Sequence, residues 1–237
     1  GRLPGPDALQ QSVDFRRYRL HSKLVLTGTA ALLVVGTVLF YIVEGDHAFA
    51  GVPTGQRLLM AAFQSVTCRT AGFNTADLMA LSQAGILISM ALMFIGAGSG
   101  STGGGIKVNT FAVLLLGIRA RALRKDDVNV FHRRLEADTI QQAFSSVSIF
   151  ALTCLLGCLV LCLEGVRVDE ALFEAISAIG TVGLTHGVTP TLKAASKVTI
   201  TLLMFAGRVG SLSVAMAMTR DRPHPKVRNV PEKILIG

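Results

Sequence analysis

The chain has 237 residues, 51% of them hydrophobic and 16% charged, a balance too apolar for an ordinary water-soluble domain. Its net charge of +8 would suit nucleic acid, but sixteen of the 23 Lys and Arg sit in three short segments, Arg2 to Lys23, Arg119 to Arg134 and Arg220 to Lys233. Trp is absent and only Phe15, Tyr18 and Phe131 interleave those basic clusters, which argues against nucleic acid as a partner and favours an all-α integral membrane protein.

Residues 1–23 form a basic N-terminal segment or linker, and because the chain begins with Gly and not Met, a missing N-terminal part is expected. Leu24 to Val43 is a run of about 20 apolar residues, the length that crosses a hydrocarbon core of about 30 Å. A short acidic loop, Glu44 to Gly55, leads to a short helix over about Arg57 to Val66, then to the turn Thr70-Ala71-Gly72-Phe73. From Ala80 to Ile118 follows a second apolar helix, interrupted by six glycines among the residues Gly96 to Gly105. Residues 24–118 therefore make one helix, pore loop, helix unit. A basic loop occupies 119–140, and a second unit fills 141–219: the span Gln142 to Leu163, the loop Glu164 to Glu170, a short helix over Ala171 to Ala178, the turn Thr181-Val182-Gly183-Leu184 and another apolar helix. Residues 220–237 are a basic tail. The positive-inside rule puts the N-terminal segment, the 119–140 loop and the tail in the cytoplasm of a multi-pass plasma-membrane protein.

The two units are copies. Thr70 to Phe73 falls on Thr181 to Leu184 with a shift of 111 residues, and the same shift places Leu92-Met93-Phe94-Ile95-Gly96 on Leu203-Met204-Phe205-Ala206-Gly207. The short helices cannot cross, so each enters from outside, stops near mid-membrane and returns, and bare backbone survives there only where it is buried in protein or lines water. The expected ion-binding set is Thr70, Ala71, Gly72, Phe73, Thr181, Val182, Gly183 and Leu184. Successive backbone carbonyls can replace the hydration shell of a monovalent cation without a full charge that would trap it, and glycine permits the backbone angles that aim them to one side. A plain tight turn between helices is the competing interpretation of each T-x-G.

The stretches Ser65-Val66-Thr67-Cys68-Arg69-Thr70-Ala71-Gly72-Phe73-Asn74-Thr75 and Ala178-Ile179-Gly180-Thr181-Val182-Gly183-Leu184-Thr185 resemble the third and fourth filter signatures of the Trk/Ktr/HKT potassium transporter superfamily. Met204-Phe205-Ala206-Gly207-Arg208-Val209-Gly210 resembles the helix that follows the fourth, and the likeness is greatest to the membrane subunit of the Ktr uptake system. The resemblance implies half of a four-unit, pseudo-fourfold cation pore that carries potassium, with sodium as a second ion and no covalently bound cofactor. It also implies a homodimer of the full-length subunit in the lipid bilayer and a cytoplasmic nucleotide-binding regulatory ring as partner. Cys68 departs from the pattern, where Pro or a small residue is expected.

Gly98, Gly100 and Gly103 fit G-x-G-x-x-G, but an apolar span and not a strand precedes them, which argues against nucleotide binding. Helix cannot persist through Gly96, Gly98, Gly100, Gly103, Gly104 and Gly105, each costing about 1 kcal/mol against Ala. The break is either a gate on the cytoplasmic side of the filter or a passive kink that lets helices pack closely. The resemblance favours the gate, since the family has an intramembrane gating loop there. Arg208, read as deep in an apolar helix about 11 residues from its end, needs acceptors, and the carbonyls of residues 96–105 are the candidates. Cys154, Cys158 and Cys162 are expected to pack against lipid or a neighbouring helix, and His186 to be a surface residue. A cation-coupled secondary transporter of another type and a non-conducting scaffold are the alternative functions; no enzyme chemistry is indicated.

Overall fold

The computed structural model describes residues 18–124, 127–131 and 133–210. It contains α1 (Leu20–Val43), α2 (Thr54–Thr67), α3 (Gln83–Phe94), α4 (Val108–Ala122), a two-residue hairpin of β1 (Asn129–Val130) and β2 (Arg133–Arg134), α5 (Ala137–Leu163), α6 (Val168–Ile179) and α7 (Ala194–Val209). The hairpin is antiparallel, with Asn129 opposite Arg134.

α1 and α5 are the two described helices long and apolar enough to cross a bilayer, with mean hydropathy of 2.2 and 2.5 over their best windows. Both expose large apolar side chains, among them Val34, Val35, Leu152 and Leu156, as a lipid-facing surface requires. The half-length helices α2 and α6, with 14 and 12 residues, pack on α1 and α5 of their own units, and α3 crosses to touch α6 of the other unit. The buried core lies between them: Phe40, Met93, Leu161, Phe173 and Ile179 are at most 1% exposed. Phe94 and Phe150 close its lower side edge to face, ring centroids 5.2 Å apart.

Three boundaries differ from the sequence expectation because helix continues past the apolar run. α1 begins at Leu20, α4 runs on to Ala122, and α5 starts at Ala137, so helix occupies both ends of the expected 119–140 loop. Arg119 and Arg121 suit the last turn of α4 and Asp138 the first turn of α5, where each charge opposes the helix dipole. Residues 1–17 of the N-terminal segment, the 211–219 part of the second unit and the 220–237 tail lie outside the described residues.

Both units share a clamp that the 111-residue alignment did not suggest. At the C-terminal end of α1, the fully buried Glu44 accepts hydrogen bonds from the Ser82 amide (3.2 Å) and hydroxyl (2.6 Å) at the start of α3. At the C-terminal end of α5, Glu164 accepts from the Ser196 amide (3.0 Å) and hydroxyl in α7. Each carboxylate thus fixes the first helix of its unit to the second. Replacing Glu44 by Ala leaves the half-buried Ser82 amide and hydroxyl unmatched, which is expected to lower stability by about 1–3 kcal/mol. Thermal unfolding of the full-length protein in detergent measures this: Glu44→Ala should melt clearly below wild type, with Glu44→Gln between the two.

Candidate functional site

The two Thr-x-Gly turns meet at the C-terminal ends of α2 and α6. Helix C-termini carry partial negative charge, so this is where a cation is favoured before any side chain is considered. In the first turn the amides of Ala71 and Gly72 both donate to the Thr67 carbonyl, at 3.3 and 3.2 Å. In the second, Thr181 N donates to Ala178 O at 3.0 Å and Val182 N to Ser177 O at 2.9 Å. These bonds draw the amides back onto α2 and α6 and leave the carbonyls of Thr70, Ala71, Gly72, Thr181, Val182 and Gly183 aside. Among the described residues no donor takes any of them.

The backbone alternates in hand through both turns. Thr70 and Gly72 have φ of 72° and 74°, Thr181 and Gly183 of 52° and 90°, and the residues between them are ordinary. Such alternation carries consecutive carbonyls to one side. A β-branched residue at positive φ is a strained outlier of about 1–3 kcal/mol; sequence reasoning located the need for positive φ at the glycines and missed it at the threonines. The two turns also touch, since a Cβ on Gly72 would overlap the Val182 carbonyl oxygen.

Phe73 and Leu184, the last two of the expected ion-binding set, are placed differently. The Thr67 hydroxyl donates to Phe73 O and the Ser177 hydroxyl to Leu184 O, each at 2.5 Å. Those carbonyls are turned into the pore helices, which leaves three per turn for a ligand. Above the second turn, the buried Glu174 accepts from the Thr189 hydroxyl (2.8 Å), the His186 amide (3.1 Å) and the Thr185 hydroxyl. His186 is half-buried against Phe173, ring centroids 5.8 Å apart, and not the surface residue expected.

Directly beneath the turns runs the glycine stretch, leaving helix at Ile95 and re-entering it at Val108. Its two ends are zipped together: Ile106 N donates to Phe94 O and Val108 N to Ala97 O, both at 3.3 Å. Gly104 N donates to the Thr181 hydroxyl at 2.8 Å. A Cβ on Gly103 would lie 2.6 Å from Thr70 Oγ1 and one on Gly104 2.6 Å from Thr181 Oγ1. The loop is therefore seated against one threonine of each turn, and glycine is needed there for close approach.

Six of the ten loop carbonyls, those of Gly96, Ala97, Gly98, Ser101, Thr102 and Gly103, are taken by the protein itself, unlike those of the turns. Arg208 Nη1 donates to Thr102 O, and Lys107 Nζ donates to Gly103 O and, at 3.3 Å, to Ser101 O. Arg69 Nη2 donates to Gly96 O at 3.4 Å. The Ser101 hydroxyl takes Gly98 O at 2.7 Å. Three cations thus fasten the loop where one was expected. Lys107 and Arg69 carry a signal in the sequence that went unused: each is a lone charge in an apolar stretch, one just after the glycines and one just before Thr70.

Arg208 itself is not buried at mid-helix. α7 ends at Val209, with Gly210 at φ 92°, so Arg208 occupies the last helical turn, exposed in this chain. Arg208 and Lys107 stand at a cavity of about 390 Å³ under the loop, shared with Thr110 and Ser146. Cys154 and Cys158 are buried in the core and all four cysteines are free.

A sequence profile of the TrkH family, described as a cation transport protein, matches residues 19–229. The Ktr system potassium uptake protein B of Vibrio alginolyticus is 38% identical over 225 residues, which cover 94% of this chain and 49% of that protein. The potassium/sodium uptake protein NtpJ of Enterococcus hirae is 35% identical over 231 residues, covering 94% and 51%. The chain spans about half the length of the curated relatives it matches. Among solved structures, the potassium transporter TrkH from Vibrio parahaemolyticus superimposes with a TM-score of 0.73 over 84% of this chain and 45% of that one, a likeness of fold at 19% identity.

The contact between loop and turn has a direct readout. Thr181→Val removes the acceptor of the Gly104 amide, and hydrogen exchange in peptides covering residues 96–105 should quicken by about fivefold, the effect of losing ~1 kcal/mol. Thr181→Ser should exchange as the wild type does.

Proposed function

The chain belongs to the TrkH family of cation transport proteins, a family of membrane transporters and not of enzymes, and from that premise we propose that it forms half of a potassium-conducting pore with a carbonyl-lined filter. The filter set is Thr70, Ala71 and Gly72 with Thr181, Val182 and Gly183. One observation carries the reading: six turn carbonyls without a donor among the described residues, at the negative ends of two half-length helices, beside a loop in which six of ten carbonyls have one. Carbonyl dipoles hold a dehydrated monovalent cation loosely enough to release it. Potassium is the proposed ion and sodium a second one, a choice supported by the names of two uptake proteins similar to this chain.

The stretch Gly96 to Gly105 is proposed as the gate. It fills the space under both filter threonines and is pinned by Arg208, Lys107 and Arg69, so opening must break contacts that small residues can re-form. These fixed positive charges beneath the filter also raise the barrier to cations while the loop is in place. The remaining half of the filter is assigned to further sequence, the basic segments to the cytoplasmic face of the plasma membrane, and a homodimer with a cytoplasmic nucleotide-binding ring to the complete assembly.

Rubidium-86 uptake into vesicles holding the full-length protein tests both parts. Gly72→Ser drives a side chain into Val182 O and Gly183→Ser strains the backbone by about 1–2 kcal/mol, so both should lower uptake, Gly72→Ser more severely. Deleting Gly98 to Gly104 should raise it. Uptake indifferent to both serine substitutions would sink the filter, and a deletion that leaves flux unchanged or lower would sink the gate.

A further inference from the structure

We infer that the groove between the ends of α4 and α5 is a binding site for an anionic phospholipid, with Arg121 taking the phosphate. The two helices approach most closely where Gly117 faces Ile140, at 3.1 Å from where a Cβ would stand, and a cavity of about 770 Å³ opens around that crossing. Its walls are the i, i+3, i+4, i+7 faces of both helices, the apolar part being Leu114 and Ile118 on one side and Ile140 and Phe144 on the other. Ile118 is 57% exposed and Phe144 62%, so the apolar surface is open and unpartnered among the described residues.

Depth and charge together define the occupant. α5 has 27 residues and is about 40 Å long, about 10 Å more than the hydrocarbon needs. The excess is its polar start, Ala137 to Gln142, which therefore stands at headgroup level. Arg121 and Gln141 line the groove at that level, and Ile118 and Phe144 lie further along the helices toward the hydrocarbon. Arg121 is the single charged side chain on the wall, and no carboxylate of the described residues lines it. Nearby Asp127 is engaged by Arg134 at 3.0 Å, and Asp138 and Glu136 flank the groove without entering it. A phosphate with an acyl chain hanging below it satisfies both halves of such a site, and basic pockets between spanning helices favour anionic headgroups. A soluble peptide would place its polar backbone against the hydrocarbon half. The inference requires that α5 cross a bilayer, and is independent of whether the filter conducts.

The probe is dioleoyl phosphatidylglycerol, titrated onto the full-length protein in detergent and read by native mass spectrometry against dioleoyl phosphatidylcholine. Wild type should retain the anionic lipid in preference. Arg121→Gln should weaken retention by about fivefold, the ratio that corresponds to ~1 kcal/mol per interfacial arginine. Arg121→Lys should keep most of it. Arg119→Gln, on the far side of α4 beside Leu116 and Asp127, should change nothing. Equal retention of the two lipids, or equal loss in Arg119→Gln and Arg121→Gln, would overturn the site in favour of none or of diffuse surface charge. Unchanged retention in Arg121→Gln together with loss of a co-purifying soluble protein would mark the groove as a protein dock instead.

Discussion

Backbone carbonyls that leave helical geometry inside a membrane have no water to turn to, and that constraint organises this structure. Two such sets lie against each other. Six of the ten carbonyls of the glycine stretch are claimed by the chain's own donors: Gly96 by Arg69, Ser101 and Gly103 by Lys107, Thr102 by Arg208, Gly98 by Ser101 and Ala97 by Val108. The six turn carbonyls above them have no donor among the described residues. Val182 is buried, Thr70, Gly72 and Thr181 are half-buried, and Ala71 and Gly183 are exposed, so this set opens onto space that an ion or water outside the chain can fill.

The same economy explains the strain around the site. Thr70 and Thr181 sit at positive φ, which each unit tolerates because the pore-helix carbonyls behind it capture the turn's amides. Their hydroxyls then face the loop, and Thr181 is bonded to Gly104. Turn and loop are in this way one object: the conformation that exposes the carbonyls also presents the hydroxyl on which the loop rests. Further out, the Glu44 and Glu164 clamps tie first helix to second in each unit, giving the short pore helices a fixed frame.

Much of this was legible in the sequence because it was written twice. Two spans, two half-length helices, two T-x-G turns and a run of glycines follow from apolar length and from a repeat at one offset. What periodicity could not supply was the end of each helix. Polar residues such as Arg119 and Asp138 continue helices where dipole and cap favour them, and Gly210 stops α7 in the middle of an apolar run, which moved Arg208 from mid-helix to a terminal turn. The engagement of the Phe73 and Leu184 carbonyls by Thr67 and Ser177 was likewise invisible, since nothing in residue identity says which way a carbonyl turns. Lys107 and Arg69 were readable and unread: a lone cation in an apolar stretch asks for acceptors wherever it stands.

The central claim is that the unclaimed carbonyls of Thr70 to Gly72 and Thr181 to Gly183 are the ion's ligands and that the loop carbonyls are not. Anomalous diffraction from crystals of the full-length protein soaked in rubidium tests it most directly. The account predicts density on the pore axis flanked by those six carbonyls, above Gly103 and Gly104. Density centred among the loop carbonyls instead, or none beside the turns at saturating rubidium, would contradict it.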